Sequence, residues 1–177
     1  MASLKRSYTK TALLSLSAKI MERLEGADLF LRASCVAIYH ALPGEVQTAG
    51  FIEKWYQEKR LLLPVVKGDD LQLRLYSGKE SVTAGAFGIP EPTEACPVVP
   101  EDEIDLILVP GVAFDRRCNR LGRGKGFYDR LLSTLNIPKI GICYDFQLRD
   151  SIPVEPFDRK MDLIVTESAF IGSQYPL

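Results

Sequence analysis

The sequence predicts an α/β fold in three layers (α/β/α), with a mainly parallel sheet covered by helices on both faces. Short apolar runs alternate with stretches whose apolar residues recur at helical spacing, an alternation typical of parallel sheets. The chain has 177 residues, enough for one substantial core, so we expect a single domain over residues 1–177. Because such folds bind ligands at the carboxyl ends of strands, we expect the functional site there.

The helices are predicted from apolar residues that recur at helical spacing. The first runs from residue 3 to about residue 25, and the second starts near Glu45 and ends near Lys59. A third begins around Phe127 and continues with leucines at positions 131, 132 and 135. Cations at positions 5, 6 and 10 oppose the dipole of the first helix, so they are either solvated or directed at a phosphate.

The strands are predicted where short apolar runs are bounded by glycine, proline or polar residues. They cover residues 35–39, 61–66 with an interruption at Pro64, 71–76, 106–109, 137–144 and 163–166. Residues 84–100 form a long loop rich in glycine, proline and acids, and such loops are usually functional or mobile. Within it, Phe87 and Ile89 either cover an apolar ligand or pack inside the loop itself.

Composition and charge narrow the function classes. The net charge is −1, whereas nucleic-acid binders are more often basic, so we expect small-molecule substrates and no nucleic-acid partner. No apolar run reaches membrane-spanning length, and the first ten residues lack the apolar region of a signal peptide. We therefore expect a cytoplasmic protein that does not associate with a membrane.

Cysteine and histidine content limits the metal chemistry. The four cysteines, at positions 35, 96, 118 and 143, form no C-x-x-C pair, so we expect reduced thiols rather than a zinc site. Those at 35 and 143 are expected to be buried in strands. Because His40 is the one histidine, we expect oxygen ligands at any metal site, which favours Mg²⁺.

The most informative stretch runs from residue 105 to residue 132. A short apolar strand ends at Pro110, a loop with five cations follows, and glycines at positions 122, 124 and 126 precede a helix start. Glycine lets backbone N–H groups approach phosphate oxygens, and a helix start adds partial positive charge, so this pattern predicts an anion site. The alternative is a solvated basic loop. The spacing matches neither a Walker A loop nor the G-x-G-x-x-G dinucleotide fingerprint.

Two acids have competing interpretations. Asp129, just inside the predicted helix start, either holds Mg²⁺ against phosphates or complements the helix dipole. Glu45, which follows a predicted strand, either caps the next helix or accepts hydrogen bonds from a ligand, and capping is the favoured interpretation.

The central stretch PGVAFDRRCNRLGRGKGFYD closely resembles the signature of the 5-formyltetrahydrofolate cyclo-ligase family, which reads approximately P-G-x-x-F-D-x-x-G-x-R-L-G-x-G-x-G-Y-Y-D. The resemblance extends over nearly the full length. It includes the N-terminal segment KRSYT, the element around Glu45, the FGIPEP loop and the C-terminal P-x-E-x-x-D…D…V-T-E pattern. The central motif is highly specific, and the weaker flanking motifs occur in the family's order.

The resemblance implies a fold similar to the NagB/RpiA/CoA-transferase-like group, with Rossmann-like topology. It also implies an ATP-dependent enzyme that requires Mg²⁺. In the family's reaction, ATP phosphorylates the formyl oxygen of 5-formyltetrahydrofolate and the 10-nitrogen attacks the activated carbon. Phosphate then leaves, and the products are 5,10-methenyltetrahydrofolate, ADP and phosphate. Such chemistry needs positioning and charge neutralisation more than a protein nucleophile.

The resemblance also assigns residues. It implies a metal site at Asp129 and Asp158 and a folate site at His40 and Glu45, with catalytic roles for Arg120, Arg123 and Lys125. The aromatic rings of the motif are expected to flank the pterin or the nucleotide. The implied ATP-binding residues are Lys5, Arg6, Ser7, Tyr8, Thr9, Arg120, Leu121, Gly122, Arg123, Gly124, Lys125, Gly126, Phe127 and Tyr128.

Three positions depart from the family pattern. Cys118 stands where the family has glycine, so either a positive φ is not needed there or the turn is altered. Phe127 replaces the first tyrosine of Y-Y-D and keeps a ring face without the hydroxyl. Thr9 stands where relatives often have arginine, and the neighbouring Lys10 lacks the bidentate geometry of a guanidinium.

Two other functions remain open. One is a sugar-phosphate isomerase-like enzyme that binds its substrate's phosphate at the basic loop and needs no ATP. The other is a non-catalytic nucleotide-binding module. ATP hydrolysis that depends on 5-formyltetrahydrofolate separates both from the cyclo-ligase. We expect a monomer.

Overall fold

The computed structural model describes residues 7–172 of the chain. In this part the helices are α1 (Lys10–Glu25), α2 (Asp28–Arg32), α3 (Ala49–Trp55) and α4 (Phe127–Thr134). The strands are β1 (Cys35–Ala37), β2 (Arg60–Lys67), β3 (Asp70–Leu75), β4 (Val82–Ala84), β5 (Pro90–Pro92), β6 (Leu106–Pro110), β7 (Ala113–Asp115), β8 (Arg120–Leu121), β9 (Lys139–Ile142), β10 (Leu148–Arg149), β11 (Leu163–Val165) and β12 (Phe170–Ile171).

The core is a sheet with strand order β12-β11-β9-β6-β1-β2-β3. The five inner strands are parallel, and the edge strands β3 and β12 are antiparallel to their neighbours. From β1 the chain proceeds outward through β2 to one edge, and from β6 through β9 to the other. The order therefore reverses between β1 and β6, and open α/β sheets bind ligands beside such a reversal.

Apolar side chains cover both faces of this sheet, because successive strand residues point to opposite sides. Val36 and Leu108 pack with residues of α1 and α3 in one cluster, whereas Ala37 and Val109 pack with residues of α4 in another. The predicted α/β fold with a mainly parallel central sheet is confirmed. The described residues contain no helix with the length and apolar character needed to cross a membrane.

Several predicted boundaries were wrong. Pro64 does not interrupt its strand, because β1 pairs only as far as Leu62 and the proline faces β3 alone. A missing N–H is tolerated where no second ladder needs it. The first helix begins at Lys10, since the Thr9 hydroxyl oxygen accepts a hydrogen bond from the Ala12 N–H at 3.0 Å and caps it.

Several short strands were not predicted from the sequence. The predicted loop 84–100 includes β5, which pairs with β4 as a hairpin. The basic stretch after β6 contains β7 and β8, which form a small sheet with β10. These strands have two or three residues each, too few to show a period. The small sheet matters because it carries the chain from the end of β6 to the glycines before α4.

Candidate active site

A cavity of about 480 Å³ opens beside the point where the strand order reverses. The loop after β1 and the end of β6 form part of its wall, as expected for this topology. The β4–β5 hairpin contributes Phe87 and Ile89, and the continuous run 122–129 forms a further wall. The structure thus brings His40 and Glu45 to the same cavity as most of the predicted nucleotide residues.

We call residues 39–48 the Glu45 loop. The Glu45 side chain is 7% exposed, and one carboxylate oxygen accepts a hydrogen bond from the Leu42 N–H at 2.9 Å. The other accepts from Arg123 Nε at 3.1 Å. The favoured helix-cap interpretation was wrong, because α3 starts after Thr48 and the Glu45 carboxylate turns back toward Leu42. The result is a buried carboxylate on the cavity wall.

We call residues 121–126 the glycine loop. Gly124 and Gly126 have φ values of 89° and 71°, which side chains rarely adopt, so glycine is needed at both positions. The Arg123 side chain is 48% exposed, and Lys125 Nζ lies 4.4 Å from the centre of the Phe87 ring. The loop leads directly into the N-terminus of α4, where unpaired N–H groups favour anions.

Arg120 occupies a different environment from these two cations. Its side chain is only 4% exposed, donates to the Pro110 carbonyl oxygen at 3.2 Å, and pairs with Asp129 at 2.9 Å. A Cβ atom at Gly122 would lie 3.0 Å from the Arg120 guanidinium, so that glycine makes room for the buried side chain. In this structure Arg120 therefore orients Asp129, whereas Arg123 and Lys125 present cations to the cavity.

The two predicted metal ligands lie in different surroundings. Asp129 lines the cavity and uses one oxygen to accept from Arg120. Asp158 is not part of the cavity wall, and one of its oxygens accepts from the Glu155 N–H at 2.7 Å. Within residues 7–172 no group of three or more His, Cys, Asp or Glu side chains forms a metal cage. A carboxylate beside a phosphate site still fits Mg²⁺, which takes one or two carboxylates and completes its shell with phosphates and waters.

His40 lies on the cavity wall beside Glu45. Burial lowers the pKa of this imidazole, and the nearby Glu53 carboxylate opposes the shift only in part. The neutral ring is therefore favoured near pH 7. A neutral imidazole offers one donor and one acceptor to a ligand.

A tight turn at residues 115–119 precedes β8 and the glycine loop in the chain. The Asp115 carboxylate accepts from the N–H groups of Arg117 at 2.9 Å and Asn119 at 3.0 Å. Although burial opposes it, these bonds and one from the Asn119 side chain hold the Asp115 pKa below its usual value. Cys118 has a φ of 64°, so the position where the family has glycine keeps the left-handed conformation. The backbone of this turn needs a positive φ whichever side chain is present.

The N-terminal segment is only partly described. Of the predicted ATP-binding residues, Lys5 and Arg6 lie outside the described part of the chain. Tyr8 stacks on Phe146, with ring centres 5.0 Å apart, and Thr9 caps α1. Neither these two residues nor Ser7 is on the cavity wall described above, and Leu121 is likewise absent from it.

Sequence reasoning missed the residues that hold the cavity loops in place. Ser17, Tyr144 and Gln147 are buried and hydrogen-bonded to backbone groups of the Glu45 loop or of the segment after β6. Ser17 lies on the helix face next to apolar positions, and Gln147 follows a predicted strand. No local pattern distinguishes them from ordinary polar residues.

Comparisons with known proteins agree with this geometry. The family model described as the 5-formyltetrahydrofolate cyclo-ligase family matches residues 1–167. A protein of Schizosaccharomyces pombe named probable 5-formyltetrahydrofolate cyclo-ligase is 34% identical over 159 residues, covering 79% of this chain and 78% of that one. The 5-formyltetrahydrofolate cyclo-ligase of Haemophilus influenzae is 37% identical and covers 72% of each chain.

A solved structure shows the same fold. The 5,10-methenyltetrahydrofolate synthetase of Aquifex aeolicus superposes with a TM-score of 0.88 at 34% identity. The match covers 99% of this chain and 90% of that one. The resemblance inferred from the sequence motifs is therefore confirmed over nearly the whole chain.

Proposed function

The chain belongs to the 5-formyltetrahydrofolate cyclo-ligase family, and we propose that it closes the ring of 5-formyltetrahydrofolate at the cavity beside β1 and β6, using ATP and Mg²⁺. The products are 5,10-methenyltetrahydrofolate, ADP and phosphate. One observation carries the location: a buried carboxylate, Glu45, and two cations, Arg123 and Lys125, line the same cavity. One wall suits a donor-rich ring and the other suits phosphates.

The reaction requires ATP and 5-formyltetrahydrofolate to bind next to each other in the cavity. ATP transfers a phosphoryl group to the formyl oxygen of the substrate, the substrate's 10-nitrogen attacks the formyl carbon, and phosphate departs. No protein nucleophile is needed, so the protein's task is to orient the two substrates and to balance the charge of the transferred group. Lys125 and Arg123, together with the N–H groups at the start of α4, are suited to that charge.

Glu45 and His40 are proposed to bind the folate. The pterin ring presents N–H and amino donors, which a carboxylate accepts well. The aromatic wall supports the same assignment, because Phe87 and Phe127 pack edge to face with centres 6.2 Å apart at the cavity rim. Flat apolar rings of a ligand pack favourably against such aromatic surfaces.

Asp129 is proposed to hold Mg²⁺ on the nucleotide phosphates, with Asp158 as the second carboxylate implied by the family. The ion would neutralise charge on the phosphate oxygens when bound. Arg120 keeps the Asp129 side chain oriented toward the cavity in this proposal. The N-terminal segment from Lys5 to Thr9 is proposed as a further nucleotide contact.

We further propose a single domain over residues 1–177, detailed similarity to NagB/RpiA/CoA-transferase-like folds, a monomeric state and a cytoplasmic location. The sequence motifs and the central sheet support the first two.

The decisive experiment mixes protein, MgATP and 5-formyltetrahydrofolate and follows the near-ultraviolet absorption of the methenyl product. We expect product formation and ADP release in equal amounts, both abolished by omitting ATP or adding a chelator. A sugar-phosphate isomerase or a non-catalytic nucleotide binder would show no coupling between the two substrates. Absence of product with wild-type protein would overturn the proposal.

A variant tests the folate wall. Glu45→Gln keeps the shape but removes the charge, so we expect the KM for 5-formyltetrahydrofolate to rise about tenfold, as for loss of a charged hydrogen bond. The KM for ATP should change little. Wild-type behaviour of this variant would exclude Glu45 from the folate site.

A further inference from the structure

Within the Glu45 loop, positions 45–47 are buried or half-buried and belong to no sheet or helix. Buried backbone groups need partners, and several of them here obtain partners from side-chain hydroxyl groups, two of which lie outside the loop. The Val46 carbonyl oxygen accepts from the Tyr39 hydroxyl at 3.0 Å, and the Gln47 N–H donates to Ser17 Oγ at 3.0 Å. The Glu45 carbonyl oxygen accepts from the Gln47 side-chain amide at 3.1 Å and lies 3.3 Å from the Tyr144 hydroxyl.

Two of these hydroxyls are joined. Ser17 Oγ and the Tyr144 hydroxyl oxygen are 2.8 Å apart, and both residues are buried. Since Ser17 accepts from Gln47, its own hydrogen is available to Tyr144, whose hydrogen points to the carbonyl oxygen of Glu45 or, at 3.4 Å, of Leu13. The resulting bridge, from the Gln47 N–H to the Glu45 carbonyl, clamps the turn that carries the Glu45 side chain.

Tyr144 is itself fixed by the turn 144–147. Its ring stacks on Phe146 with centres 5.0 Å apart, and its N–H donates to the Gln147 side-chain oxygen at 2.9 Å. The Gln147 amide donates to the carbonyl oxygens of Gly111 at 2.9 Å and Val112 at 3.1 Å. One turn therefore holds the Glu45 loop and the segment after β6, both of which contribute residues to the cavity wall.

We propose that Tyr144 is a positioning residue for Glu45: its hydroxyl fixes the backbone of the Glu45 loop and so sets where the carboxylate meets the folate. The inference rests on the function proposed above. Tyr144 is not on the cavity wall, so it acts through Glu45. Burial raises the pKa of the Tyr144 hydroxyl, which keeps it protonated as a donor across the neutral range.

Tyr144→Phe tests this, because it removes the hydroxyl and keeps the stacked ring. Binding of 5-formyltetrahydrofolate is measured by calorimetry without ATP, and binding of MgATP without folate. We expect the folate Kd to rise roughly tenfold and the ATP Kd to stay within twofold, the scale of losing one buried hydrogen-bond partner. Ser17→Ala is the second variant and should reproduce the effect, since it breaks the same bridge.

Two further measurements separate positioning from general destabilisation. Ser81→Ala is the matched control for Ser17→Ala, because the Ser81 hydroxyl also joins backbone groups and Ser81 is not on the cavity wall. Its oxygen accepts from the Ser77 N–H at 3.1 Å, and it donates to the Gly78 carbonyl oxygen at 2.6 Å. This substitution should lower the melting temperature without changing the folate Kd. In a Glu45→Gln background, Tyr144→Phe should weaken folate binding by less than twofold, because the group it positions has already lost its charge.

The outcomes are distinct. Unchanged folate affinity in both Tyr144→Phe and Ser17→Ala, equal losses of folate and ATP affinity, or full additivity with Glu45→Gln would each overturn the inference. If wild-type protein binds folate but forms no methenyl product, the proposed reaction fails while the positioning role is still decided by the Kd values. Absence of folate binding by wild type would overturn both.

Discussion

The two walls of the cavity are built in opposite ways. The Glu45 loop is buried around Glu45 and Val46, and several backbone groups there are paired with hydroxyls from Ser17, Tyr39 and Tyr144. The glycine loop is largely exposed and depends on positive φ at Gly124 and Gly126. One wall is held by long-range contacts, whereas the other is held by its own backbone conformation.

The difference matches the tasks that we propose for the two walls. Distinguishing one ring from another needs a carboxylate at a fixed place, and buried hydrogen bonds provide it. Binding phosphates requires N–H groups and cations whose positions can adjust as the phosphoryl group is transferred. The Arg123–Glu45 ion pair joins the walls. Because the Arg123 side chain is half exposed, solvent screens the pair, and a ligand that donates hydrogen bonds to Glu45 can replace the guanidinium.

The largest effect on activity is expected from a substitution at the start of α4. Asp129→Asn keeps the side-chain shape but removes a charge facing the proposed metal, so turnover should fall about 100-fold, with partial recovery at high Mg²⁺. The measurement is activity against Mg²⁺ concentration, with circular dichroism to show an intact fold. Asp158→Asn, measured in parallel, should show the same pattern. Wild-type metal dependence in both variants would remove them from the metal site.

The glycine loop was predictable from sequence because its chemistry is local. Alternating glycines and cations before a helical pattern indicate an anion site by themselves, and residues 122–126 all lie on the cavity wall. Arg120 was grouped with the other cations because the pattern does not show burial. Its pairing with Asp129 depends on how β8 packs beneath α4, which spacing alone does not specify.

The Glu45 loop was not predictable in the same way. Ser17 and Tyr144 are 127 positions apart, and their contact exists only once α1 covers the sheet. The local signal near Glu45 favoured a helix cap, but α3 begins after Thr48, and the carboxylate instead accepts from Leu42 and from the distant Arg123. The strands of the central sheet were easier to predict, since each inner strand is largely a continuous apolar run. The strands of the small sheet have two or three residues, too few to show a period in the sequence.

The second prediction tests whether the glycine loop binds the nucleotide. Lys125→Ala should weaken ATP binding tenfold or more, because a charge-assisted contact contributes roughly 1.5–3 kcal/mol, and should leave folate binding nearly intact. Arg123→Ala and Arg120→Ala are measured in the same titration. Arg116→Ala is the control, an exposed cation of the same stretch that is not on this cavity wall. Unchanged ATP affinity in the variants at 120, 123 and 125 would count against this nucleotide site.

The third prediction tests the backbone that the glycine loop depends on. Gly124→Ala places a side chain at a φ of 89° with open space around it, so only strain opposes it and stability should fall by about 1 kcal/mol. Gly50→Ala is the matched control: it lies within α3 with nothing near its Cβ position, and should stabilise by about 0.5–1 kcal/mol. Urea unfolding of both variants measures the difference. If Gly124→Ala raised the free energy of unfolding as Gly50→Ala does, a side chain at position 124 would cause no backbone strain.

The smallest effect concerns pH, and it is expected on the Glu45 side of the cavity. An imidazole can change its charge between pH 5 and pH 8, and His40 lies on that wall. Burial lowers the pKa of His40 below 6.5, so the folded state binds fewer protons than the unfolded state in that range. The free energy of unfolding should therefore be constant above about pH 7.5, fall as the pH drops through 6.5, and level off below the folded-state pKa.

Because His40 is the one histidine, its ring C–H signal in proton NMR is unambiguous and gives the folded-state pKa directly. His40→Gln should remove this part of the pH dependence. Burial also raises the pKa of Glu167, which contributes with the opposite sign, but the histidine variant leaves that contribution in place. Urea unfolding of both proteins between pH 5 and 8 isolates the difference. A measured His40 pKa at or above 6.5 would contradict the buried, neutral imidazole on the Glu45 side of the cavity.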